Sequence, residues 1–125
     1  MDSAILLIAH GSRREQANND LHRLAEMVRE REPRRVVEVA FLEIAQPTIP
    51  EGAEACLRHG VSQVCLLPFF LSPGSHVTDD LERYRQEFAS AHPHVDFVLC
   101  PPLGLHPSIV DILLGRLQEG VAGTA

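Results

Sequence analysis

Residues 4–9, Ala-Ile-Leu-Leu-Ile-Ala, form an unbroken apolar run that stops abruptly at His10 and Gly11. Six residues are too few for a helix of this character, and the absence of alternation means that both faces want burial. Such a run reads as a strand inside a parallel sheet covered on two sides. Three more runs repeat the theme: VVEVAFL at 36–42, QVCLLPFF at 63–70 and VDFVLC at 95–100. This fourfold recurrence is what most narrows the choice of fold.

Between the runs the apolar spacing changes to that of helices. Ala17, Leu21, Leu24, Ala25 and Val28 share one helical face, and Pro33 ends the segment. Ile49, Ala53, Cys56 and Leu57 mark a second helix with Gly60 as its stop. Val77, Leu81, Tyr84 and Phe88 mark a third. Ile109, Ile112, Leu113 and Leu117, after Pro107, mark the last. Ser12-x-x-Glu15 and Thr48-x-x-Glu51 both have the form of capping boxes. Pro68 cannot donate to a ladder, so pairing on one side of the third strand is predicted to fail there. The order is βαβαβαβα with short turns. It predicts a three-layer α/β fold: a four-stranded parallel sheet, strand order 2-1-3-4 as in flavodoxin-like folds, with helices on both faces.

At 125 residues the chain makes one domain spanning 1–125, with 120–125 expected to be a frayed tail. Hydrophobic residues at 45% and charged residues at 22% exclude disorder. A formal charge of −6 without a basic patch argues against nucleic-acid binding. The apolar start is too short for a signal core or a membrane span, so no membrane association is expected and a cytoplasmic location is. Cys56, Cys65 and Cys100 are odd in number and show no C-x-x-C spacing, which disfavours a disulfide framework or a cysteine zinc site.

In this topology His10, Glu43, His76 and His106 all follow strands at their carboxyl ends, the edge where open α/β sheets bind ligands. Each residue alone has a plain structural explanation: turn histidine, capping glutamate, helix-start histidine. Together, two imidazoles and a carboxylate around one crevice suit a divalent metal such as Fe²⁺, Co²⁺ or Zn²⁺, or proton transfer near neutral pH. No P-loop, dinucleotide fingerprint or nucleophile elbow is present.

Four ordered blocks, LLIAHGSRREQAN, VEVAFLEIAQPTIPEG, LLPFFLSPGSHVTDDL and PPLGLHPSIVDIL, resemble the small CbiX/SirB-like class II chelatases across residues 4–117. The resemblance implies a chelatase fold and insertion of Co²⁺ or Fe²⁺ into sirohydrochlorin without ATP, in cobalamin or sirohaem synthesis. It implies His10 and His76 as the metal-holding and proton-accepting pair, Glu43 as their acid–base or metal-delivery partner, and Asp80 as a further family position. It also implies a homodimer, no permanently bound cofactor, and the metal as substrate. Arg13, Ser12, Phe70, Ser75 and His106 are the candidate substrate contacts, Arg13 by forked pairing with substrate carboxylates. Two other readings compete: a non-catalytic carrier of metal or tetrapyrrole using the same histidines, and a phosphate enzyme on the same sheet.

Overall fold

The computed structural model describes residues 2–123. Strands β1 (Ser3–Ala9), β2 (Val36–Phe41), β3 (Gln63–Pro68) and β4 (Asp96–Leu99) alternate with helices α1 (Glu15–Arg31), α2 (Ile49–Leu57), α3 (Ser75–Ala91) and α4 (Ser108–Gly123). The sheet is parallel throughout, in the order β2-β1-β3-β4. β1 lies centrally, with Ala4 beside Val36 on one flank and Val64 on the other. That position explains its unbroken apolar sequence: residues 4–8 are all buried, because a layer covers each face.

Those layers are two separate clusters. Leu6, Ile8, Ala40, Val64, Leu66 and Phe97 meet Ile49, Ala53 and Cys56 of α2 and Leu81 of α3. On the other face Ile5, Leu7, Val37 and Val39 meet Leu21 and Ala25 of α1. Gly52 lets α2 settle onto the sheet, since a Cβ there would stand 2.7 Å from Leu6 and 2.9 Å from Ala40. Arg29 ties α1 down by donating from Nε to the Val37 carbonyl at 3.1 Å.

Several details differ from the sequence reading. β3 ends at Pro68, not residue 70, because the proline carries no N–H to continue the ladder. The Thr48/Glu51 capping box forms in full, but Ser12/Glu15 does not: α1 starts at Glu15 with Arg14 as its cap residue and no side-chain cap. Ala17 of the predicted α1 face is exposed. The expected tail is corrected over 120–123, where α4 stays helical through Gly123 without an intervening proline; residues 124 and 125 lie outside the described residues. The largest departure concerns α4 itself, none of whose residues is buried. No helix among the described residues is long and apolar enough to cross a membrane.

Candidate functional site

At the carboxyl end of β1 the chain turns sharply through Gly11, at φ +101°. The turn is pressed against the segment leaving β2: a Cβ on Gly11 would lie 1.9 Å from the Glu43 carbonyl oxygen. Two backbone bonds extend the sheet into this region, Leu42 N–H donating to Ala9 at 2.9 Å and Glu43 N–H to His10 at 3.0 Å. The outcome is a side-chain pair 33 residues apart in sequence, His10 Nε2 and Glu43 Oε1 at 2.8 Å. A carboxylate only accepts, so Nε2 carries the hydrogen and Nδ1 presents its lone pair to the open side. His10 and Glu43 are 52% and 57% exposed. A pair so wet is worth at most about 1 kcal/mol to stability. Its close backbone confinement therefore serves orientation more than folding.

Two surroundings hold the imidazole. The Phe70 ring stands edge-on to it, centroids 6.4 Å apart. On the other flank Asn18, from the first turn of α1, clamps Ser12: its Oδ1 accepts from the Ser12 N–H at 2.9 Å and its Nδ2 donates to the Ser12 carbonyl at 2.8 Å. The Ser12 hydroxyl accepts from the Arg14 N–H at 3.0 Å. This network replaces the capping box and fixes the His10–Ser12 turn. Sequence reasoning missed Asn18, although it closes the first of the four blocks.

His76 occupies the first turn of α3, exposed and without a hydrogen bond or ion pair among the described residues. It is not brought into contact with His10 or Glu43, and no group of three or more His, Cys, Asp or Glu side chains among the described residues is gathered to hold a metal. Asp80, one turn further along α3, pairs with Arg83 at 3.7 Å. His106 is engaged elsewhere: its Nδ1 accepts from the Ser108 N–H at 3.1 Å, at the start of α4. Arg13 is exposed and makes no ion pair among the described residues, and Ser75 opens α3.

A second set of residues escaped the sequence reading. Ile44 after β2, Phe69 and Leu71 after β3, and Leu103 and Leu105 after β4 are all exposed. Each follows the carboxyl end of a strand, so one sheet edge carries five large apolar side chains around a histidine–glutamate pair. Ile44 is held at φ +72°, a conformation that a β-branched residue adopts only under constraint. The signal was present in sequence as apolar residues inside turn segments, where polar ones are the rule. A surface groove of about 740 Å³ is lined by Gln46, Pro47, Pro50, Glu51, Glu54, Ala55 and Arg58, none of them a candidate residue.

The CbiX family model matches residues 4–120. The chain belongs to the CbiX family. Among relatives, a sirohydrochlorin cobaltochelatase of Priestia megaterium is 32% identical over 98% of this chain and 40% of that protein. The chloroplastic sirohydrochlorin ferrochelatase of Arabidopsis thaliana is 32% identical over 92% of this chain and 51% of that protein. The sirohydrochlorin chelatase SirB of Bacillus subtilis subspecies spizizenii, solved in complex with cobalt, superposes with a TM-score of 0.87 at 28% identity, over 95% of this chain and 51% of that one. The CbiX-family chain thus spans about half the length of these relatives.

Proposed function

We propose that this chain is an ATP-independent chelatase that inserts a divalent metal, Co²⁺ or Fe²⁺, into sirohydrochlorin, in cobalamin or sirohaem synthesis. The observation that carries the reading is the His10–Glu43 pair at 2.8 Å inside an edge lined by exposed apolar side chains. A planar tetrapyrrole needs an apolar platform for its ring and cations for its carboxylates. Ile44, Phe69, Leu71, Leu103 and Leu105 fit the first need, and Arg13 the second. Ser12, Phe70, Ser75 and His106 border the same edge as further substrate contacts.

Metal insertion exchanges two pyrrole protons for one M²⁺. On this reading His10 takes a proton at Nδ1, and the Glu43 carboxylate stabilises the imidazolium through Nε2–H. His76, exposed on α3, brings the metal, which is a substrate and leaves with the product. A carrier using the same histidines is the alternative. We further propose that the working form is a homodimer, in a reducing cytoplasmic compartment where Cys56, Cys65 and Cys100 remain free thiols.

The test is the visible spectrum of sirohydrochlorin mixed with excess Co²⁺ and a hundredth of an equivalent of protein, held anaerobically. A chelatase converts many equivalents at a rate above the protein-free control. A change that stops at one equivalent would make the protein a carrier.

A further inference from the structure

Helix α4 leaves one face of this molecule unfinished. It has no buried residue, and Val110, Ile112, Leu113, Leu114 and Leu117 are each 52–63% exposed. Val110, Leu113, Leu114 and Leu117 follow i, i+3, i+4, i+7 spacing and make one stripe. Away from it, Arg116 and Glu119 pair with each other at 3.0 Å, which leaves the stripe uncharged. A helix with such a stripe needs an apolar counterpart.

The sheet offers one. On the α1 face, α1 packs on β1 and β2 but not on β3 or β4. β3 alternates accordingly: Val64, Leu66 and Pro68 are buried towards α2 and α3, while Gln63, Cys65 and Leu67 are only partly covered. Val98 and Cys100 extend this strip along β4, with the Cys65 and Cys100 thiols within reach of each other. In a sheet covered on both sides, the helix after β4 belongs there. In this chain it stands off, at the end of a connection stiffened by Pro101, Pro102 and Pro107 and pinned by Leu103 N–H donating to Phe70 at 3.1 Å.

We propose that α4 docks on a second copy of the chain, its apolar stripe covering the partner's β3–β4 strip while the partner's α4 covers this one. Such an exchange is closed and two-fold symmetric, as domain-swapped dimers are. The area suffices: five side chains of this kind carry on the order of 100 Å² each. With the strip they cover, each partner approaches the roughly 800 Å² of a standard stable interface. The inference deepens the dimer reading above by naming its interface, and rests on it.

The experiment reads mass without metal or tetrapyrrole, so failure of the chelatase reading leaves it intact, and the reverse. Light scattering at micromolar concentration should give twice the 13.8 kDa chain mass. The Leu113→Glu/Leu117→Glu chain should halve that mass with an unchanged far-ultraviolet spectrum, because both positions are exposed in the single chain. A single-chain mass for the unaltered protein, or a dimer that survives the double substitution, overturns the proposal. Independently, Leu117→Cys is oxidised with copper phenanthroline and the linked peptides are mapped. A link between chains from position 117 to Cys65 or Cys100 is expected. A link within one chain, a link between two 117 positions, or none at the strip overturns it.

Discussion

Gly11 is the residue on which the site's geometry turns. Its φ of +101°, and the 1.9 Å that would separate a Cβ there from the Glu43 carbonyl oxygen, mean that no other residue keeps both loops in place. Gly11→Ala should cost about 2–4 kcal/mol, read as a lower urea midpoint at unchanged m-value, and should separate His10 from Glu43. Asn18 works on the same turn from the other side. Asn18→Ala leaves the Ser12 N–H and carbonyl without their partner and should cost about 1–2 kcal/mol. Asn18→Leu should not recover the loss, since it supplies volume but no hydrogen bond. Cys56 gives a pH signature. Burial, then the Glu38 carboxylate, pushes its thiol from 9.0 up to about 12. The folded state therefore keeps a proton that the unfolded chain releases above pH 9. The contribution is complete below pH 9 and disappears as pH rises towards 12. Urea titrations across that window should show stability falling with pH, and less steeply in Cys56→Ala.

Among the elements, α2 is held by its own sequence and α4 is not. The Thr48/Glu51 box bonds in both directions, at 2.8 and 3.2 Å, and Thr48→Ala should cost about 1 kcal/mol in urea unfolding. The strands and their order are legible in the sequence because local chemistry and tertiary burial agree there. The run at 4–9 is apolar on both faces, and β1 is covered on both faces. The α1 start is misleading because Ser12 answers to Asn18, a partner six residues away, instead of to Glu15. α4 misleads for a deeper reason. Periodicity says that a helix has an apolar face, but not which surface receives it. Of the candidate site, the placement of His10 and Glu43 at one edge follows from topology alone. Their contact does not, because it depends on the positive φ at Gly11. The apolar rim of Ile44, Phe69, Leu71, Leu103 and Leu105 goes unseen because strand-end apolar residues look like core until the strand is known to have ended.

At the scale of the whole molecule, the sheet does two things with its carboxyl edge and its uncovered face. The edge gathers the histidine–glutamate pair and an apolar rim, which suit a flat ring that must lose protons. The β3–β4 strip and α4 suit a second copy. The central claim is that His10, held by Glu43, accepts those protons. Its most direct test is the anaerobic rate of Co²⁺ insertion into sirohydrochlorin by the His10→Ala chain, with tetrapyrrole binding followed separately by fluorescence. The rate should fall at least about 100-fold with binding retained, and added imidazole should restore part of it. A His10→Ala chain that inserts metal at the unaltered rate would contradict the account.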